Sequence, residues 1–306
     1  MKTEACLVPN RTSKKGRARP RGRGPQPGRA AARLVALDSD GTVLDSMTST
    51  QEHCFMPAFA AFFGGNSDRA SLDELWRFVS LGSRLRGANR YRALAAALRI
   101  GSRHPRLGPE LRRSERVASA LEAWLAQESV ASNAGLESAL ASRRADKSLG
   151  CALEWSRTVD EAVASLPPPP PFRCAASALP LLAQGAELMI LTSGPAASVI
   201  RDWKRAGLGP YASSVAGLER GPKTRALLGA MAGRYESGRV LVVGDSPGDL
   251  ETARAAGVFF FPIVPGREEE SWESLASDFL PRFREGEAKA PPLAAFLDVL
   301  PQNPPW

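Results

Sequence analysis

The chain has 306 residues, 43% of them hydrophobic, and a net charge of +8 from 40 Lys/Arg against 32 Asp/Glu. This length predicts one large domain or two modest ones around a sizeable core. No apolar run approaches the length of a membrane span, and the first thirty residues lack the apolar stretch of a signal peptide. The expectation is therefore a cytoplasmic protein with no membrane association. Four scattered cysteines (Cys6, Cys54, Cys151, Cys174) form no CxxC pair and predict free thiols. Only two histidines, His53 and His104, are present, which argues against histidine-cluster chemistry.

The basicity is local. Residues 1–33 hold ten Lys/Arg against one acid, Glu4, so the remainder is close to neutral. The Gly/Pro/Arg-rich stretch KKGRARPRGRGPQPGR cannot bury a core, and residues 1–32 are predicted to be a disordered tail. Phosphate contact with nucleic acid is one use for such a tail. A solvated extension is the simpler reading.

A strand is predicted at LVAL (34–37), ending at Asp38-Ser39-Asp40. From about 50 to 166 the apolar periodicity is helical, as in LDELWRFVSL and ERVASALEAWLAQE. Pro167–Pro171 forms a stiff spacer, after which helices and strands alternate: ELMIL (187–191), a weak SSVAG, RVLVV (239–243) and VFFFPIV (258–264). Alternation with continuous apolar strands implies an α/β fold, a doubly wound, Rossmann-like parallel sheet covered on both faces. The expected organisation is a core of 33–48 and 168–306, with an all-helical domain, 49–167, inserted after the first strand.

Ligands of such sheets bind at the carboxyl ends of the strands. This sequence places there Asp38 and Asp40, then Thr192-Ser193-Gly194, then Asp245 and Asp249, with Lys223 opening the helix between the last two groups. Asp38 and Asp40, about 6–7 Å apart by strand rise, would repel unless a cation joined them. Carboxylate oxygens with waters suit Mg²⁺, here with Asp38, Asp40 and Asp245 as ligands and Asp249 orienting metal-bound water. Asp38 is then placed to attack phosphorus, Asp40 to act as general acid and base, Thr192, Ser193 and Gly194 to hold phosphoryl oxygens, and Lys223 to balance charge.

Taken together, DSDGT, LTSG, Lys223 and GDSPGD resemble the four motifs of the haloacid-dehalogenase superfamily of phosphohydrolases, from about residue 33 onward. The resemblance implies a HAD-like core, residues 42–48 as turn and flap beside the nucleophile, and the helical insertion as a cap over the substrate. At about 120 residues the cap is large. With SLGSRLRGANRYRAL and FFFPIVPGREEESW it resembles a large-capped, phosphoglycolate-phosphatase-like subgroup, which leaves the substrate open. The implied activity is Mg²⁺-dependent hydrolysis of a small phosphorylated metabolite through an aspartyl phosphate. Two alternatives share these residues: a phosphomutase resembling β-phosphoglucomutase, and a non-catalytic phospho-ligand-binding protein. Asp40 departs from dehalogenases and phosphonatases, which lack this second aspartate. Ser39 stands where an apolar residue is usual and is expected to point away from the site. In the cap, Arg86, Asn89 and Arg90 at i, i+3 and i+4 are expected on one helical face, available to a polar or anionic leaving group.

Overall fold

Apolar segments without an interior polar residue need cover on both faces, and five of them find it in one parallel sheet. The computed structural model describes residues 33–128, 131–142 and 146–306. The strands are β1 (Leu34–Leu37), β2 (Glu187–Leu191), β3 (Ser214–Ala216), β4 (Val240–Gly244) and β5 (Phe259–Pro262), in the order β3-β2-β1-β4-β5. The proposed disordered tail lies outside the described residues. The described cysteines, Cys54, Cys151 and Cys174, are free. Among the described residues no helix is long and apolar enough to cross a membrane.

The period-two alternation of strand side chains divides the core in two. Val35, Leu37, Ile190, Leu241 and Val243 pack with the helices Arg173–Ala183 and Ala196–Arg205 and with the segment around Trp272. Ala36, Met189, Leu191, Val240 and Val242 pack on the other face with the helices Lys223–Met231 and Pro247–Ala256. The order puts β1 in the middle, with β2 and β3 on one side and β4 and β5 on the other. A chain that reverses direction of build at β1 leaves a crevice at its carboxyl end.

The insertion is helical throughout its described part, from Met47–Thr50 to Gly150–Ala164. It has its own apolar cluster, from Cys54 to Val159, separate from the two beside the sheet. Trp76, Trp155 and Phe55 meet there, with Trp76 edge-on to Trp155 at 5.7 Å. Trp76, Phe78, Trp124 and Trp155 are all buried in this cluster. On this separation of cores we propose 49–167 as the cap domain and 33–48 with 168–306 as the core domain.

The polyproline stretch does more than space. Asp45 donates its backbone N–H to Pro170 at 2.8 Å, Phe172 donates to Val43 at 3.0 Å, and Leu44 bridges Pro171. Proline keeps an acceptor while losing its donor, so it can pair with the flap along one edge only. Trp272 Nε1 pins the same flap through the Thr42 carbonyl at 2.8 Å.

Ser39 turns away from the strand ends, where its buried hydroxyl accepts from Trp203 Nε1 at 3.0 Å. A serine replaces the usual apolar residue because a tryptophan N–H needs an acceptor there. Ser39→Ala should lower the free energy of unfolding by about 1–3 kcal/mol by orphaning that donor. Urea denaturation followed by tryptophan fluorescence measures it.

Candidate active site

The register of β1 against β4 creates the site. Leu37 lies opposite Val243, and Asp38 continues the ladder by donating to the Val243 carbonyl at 2.9 Å. Asp38 therefore leaves β1 level with the chain that leads through Gly244 to Asp245. Ser246 then caps the next helix in a reciprocal box: its hydroxyl donates to Asp249 Oδ2 at 2.6 Å and accepts from the Asp249 N–H. The box folds Asp249 back under the strand end, into space that any side chain at Gly244 would fill.

Three carboxylates consequently meet. One oxygen each from Asp38, Asp245 and Asp249 falls within 4.8 Å of the others, and all three residues are buried. Lys223 spans two of them, at 2.8 Å from Asp38 Oδ1 and 2.7 Å from Asp249 Oδ1. Asp245 is held on both sides: Oδ1 accepts from Thr42 at 2.9 Å, and Oδ2 accepts from Arg86 Nε at 2.7 Å, with Nη2 of the same guanidinium ion-paired at 2.7 Å. The expected trio was Asp38, Asp40 and Asp245, with Asp249 outside. In the structure Asp249 is in the group and the Asp40 carboxylate stands apart, turned to the Ser46 hydroxyl at 2.6 Å. The cause is the turn that begins at Ser39, which ends strand alternation before Asp40 is reached.

Charge balance explains the electrostatics. Burial, aided by the neighbouring Asp249 and Asp245, pushes the Asp38 carboxyl well above the ordinary 3.8, although Lys223 opposes this. Burial also raises Asp40, with the Ser46 hydrogen bond working against it. Burial disfavours charge on Lys223, yet Asp249 and Asp38 outweigh it and hold the ammonium charged. The set has more anionic than cationic groups, and its converging donors are all hard oxygens. A hard divalent cation such as Mg²⁺ fits that donor set and that imbalance.

Above the carboxylates opens a cavity of about 990 Å³, bordered by Asp38, Asp40, Thr192, Ser193, Gly194 and Lys223. The Thr192 hydroxyl accepts from the Gly194 N–H at 3.0 Å and fixes the turn after β2. On the cap side the cavity reaches Asn89 and Arg90. The three cap residues do not share a helical face, which corrects the spacing argument. The helix begins at Arg90 with Asn89 as its N-cap, and Gly87, at φ 72°, turns the chain sharply between Arg86 and the helix. Arg86 is directed to Asp245 instead. Arg90 pairs with Asp160 at 2.6 Å and lies 5.4 Å over the Phe55 ring, while Asn133 links Asp160 to Tyr91. Asp160 and Asn133 carry no local sequence signal, being 70 residues from Arg90 and 42 from Tyr91 respectively.

With this geometry in view, comparison with known proteins adds the lineage. Residues 32–257 match the model of the haloacid dehalogenase-like hydrolases. This chain belongs to that family. No curated protein is detectably similar in sequence. Solved structures that resemble this hydrolase include a haloacid dehalogenase-like family protein from Streptococcus pneumoniae, at 13% identity and a TM-score of 0.45, covering 81% of this chain and 92% of that one. A protein predicted to be a phosphoglycolate phosphatase, from Haemophilus somnus, aligns at 16% identity and 0.46, covering 77% and 86%. A haloacid dehalogenase-like family hydrolase from Xanthomonas campestris aligns at 14% and 0.40, covering 77% and 83%.

Two outcomes follow for this hydrolase. Lys223→Met leaves Asp38 and Asp249 buried without their cation and should cost about 3–5 kcal/mol of stability, part of which returns in the double variant with Asp38→Asn. Chemical denaturation of the four proteins closes that cycle. Because the Asp38 carboxyl lies above 3.8 in the folded state, the folded protein binds more protons than the unfolded chain in the window above that value. Stability from this group therefore falls as pH rises through the window. With chelator present, thermal melting of Asp38→Asn should depend less steeply on pH there than that of the unsubstituted protein.

Proposed function

We propose that this hydrolase is a Mg²⁺-dependent phosphatase that cleaves a small organic phosphate monoester through a phosphorylated Asp38. The observation that carries this reading is Asp38 at the strand end, paired with Lys223, grouped with Asp245 and Asp249, and opening on the cavity that Thr192, Ser193 and Gly194 border. Asp38, Asp245 and Asp249 would hold the cation, which when bound offsets the repulsion between a carboxylate and a phosphate dianion.

The remaining chemistry belongs to side chains. An Asp38 oxygen attacks phosphorus, and the bond from phosphorus to the ester oxygen breaks. Asp40, whose raised carboxyl suits it to carry a proton, gives that proton to the departing oxygen. Asp40 then takes a proton from water as the water oxygen attacks phosphorus, which releases inorganic phosphate and restores Asp38. Ser46 holds Asp40 in place through the 2.6 Å hydrogen bond. The Thr192–Gly194 turn offers a hydroxyl and backbone N–H groups to the phosphoryl oxygens, and Lys223 balances charge at Asp38 throughout. The leaving group would occupy the cap side of the cavity, against Asn89, Arg90 and the Asp160–Asn133 pair.

The test is release of phosphate from an aryl phosphate with and without Mg²⁺. Asp38→Asn should abolish it, and full activity in that variant would remove Asp38 as nucleophile. Asp40→Asn should lower kcat by roughly 10²–10⁴-fold, the range of general acid–base catalysis. A sugar phosphate converted to its isomer without free phosphate would assign transfer to a second hydroxyl instead of to water.

A further inference from the structure

One side chain from the cap reaches the carboxylates and takes no part in the steps above. Arg86 is 5% exposed and Asp245 is 0% exposed, so the ion pair between them is sealed from solvent. Both Nε and Nη2 of Arg86 address a single oxygen, Oδ2, while the other oxygen is occupied by Thr42. The third nitrogen, Nη1, donates to the Leu81 carbonyl at 3.2 Å, which ties the guanidinium to its own loop.

Two glycines make room for this contact. A Cβ on Gly41 would collide with Asp245 Oδ2 and come within 2.9 Å of Arg86 Nη2. A Cβ on Gly87 would lie 2.7 Å from the Ser246 Cβ, and the residue sits at φ 72°, which side chains strain to adopt. One glycine belongs to the core and the other to the cap, and each is needed for the loop to reach Asp245.

We propose that Arg86 and the divalent cation exchange at Asp245, so that the cap loop 81–89 and the metal compete for one carboxylate. This rests on the metal reading above. Arg86 Nε donates to Oδ2, and Nη2 lies at the same 2.7 Å, so the cationic guanidinium covers that oxygen. A cation bound through Oδ2 would meet the guanidinium at contact distance. A guanidinium left a few ångströms from a divalent ion, in a buried site, is strongly repelled. Arg86 therefore withdraws as the cation enters, and the loop that carries it loosens from the strand ends. Before metal arrives the same arginine satisfies Asp245, which would otherwise be a buried, unpaired charge. Arg86 is thus a positioning residue: it acts on the reaction through Asp245 and the cap loop. Because coupling between two ligands of one site is reciprocal, metal affinity and loop attachment must change together.

The experiment is calorimetric titration of Mg²⁺ into purified protein without substrate, for the unsubstituted chain and for Arg86→Gln and Arg86→Lys. Arg86→Gln should bind Mg²⁺ more tightly by about 5-fold or more, the lower end of ordinary coupling between sites. Arg86→Lys keeps the charge but loses the two-nitrogen grip and should fall between. Saturating Mg²⁺ should also speed amide hydrogen exchange in residues 81–89 of the unsubstituted protein. Unchanged or weaker Mg²⁺ binding in both folded variants overturns the exchange and leaves Arg86 a purely structural ion pair. Failure of all three proteins, the unsubstituted one included, to bind Mg²⁺ overturns the metal reading itself.

Discussion

Bringing like charges together inside a protein is the constraint that organises this molecule. Asp38, Asp245 and Asp249 are each nearly sealed from solvent, and each would be costly there alone. Their surroundings are arranged as answers to that cost. Lys223 bridges two of them, Arg86 takes the third, and Thr42 and Ser246 supply hydroxyl donors. The answers come from four separate stretches of chain: the turn after β1, the cap loop, the start of one helix, and the N-cap of another. A site assembled from so many segments can be held only by a rigid frame. The parallel sheet, with β1 at its centre and apolar cover on both faces, is that frame.

A second set of contacts connects the helical region to the sheet region. The flap after Asp38 is held from the core by Trp272 and from the returning chain by Pro170 and Phe172. Prolines at this return are stiff, and Pro167–Pro170 form part of the wall of the cavity. The cap approaches the core through the loop before Arg90, where the Arg84 N–H donates to the Pro301 carbonyl at 3.3 Å. Farther along, Trp306 lies edge-on to Phe78 and His104 of the helical region. The cap is therefore attached at polar and aromatic points at its margins, while its tryptophan-rich centre stays internal. Such an attachment is easier to loosen than a continuous apolar interface. It suits a site that must open to admit and release its ligands.

The cavity above the carboxylates is balanced where the cap meets it. Arg90 is matched by Asp160, and Asn133 and Tyr91 extend the pairing into a chain of donors and acceptors. A surface of this kind holds its side chains in fixed positions, because each is satisfied by a neighbour before any ligand arrives. Phe55 beneath the guanidinium adds an aromatic support, and it lies on the wide helical turn Gln51–Phe55 at the entry to the cap.

Local pattern determined the strands, the helical insertion, and the residues delivered to the sheet's carboxyl edge. It could do so because burial on two faces demands unbroken apolar strands, and parallel strands present their ends together. Asp38, Thr192, Lys223 and Asp245 were legible for that reason. What the sequence left undecided depends on contacts between distant segments. The turn at Ser39 removes Asp40 from the carboxylate group, and the Ser246 box inserts Asp249 in its place. Gly87 and Asn89 break the helical spacing that would have put Arg86 beside Arg90, and they send Arg86 to Asp245 instead. Spacing along a chain reports neighbours only while one regular element continues. At turns, caps and domain crossings the partner is chosen by packing and by the need to satisfy buried charge, and only the tertiary structure decides it.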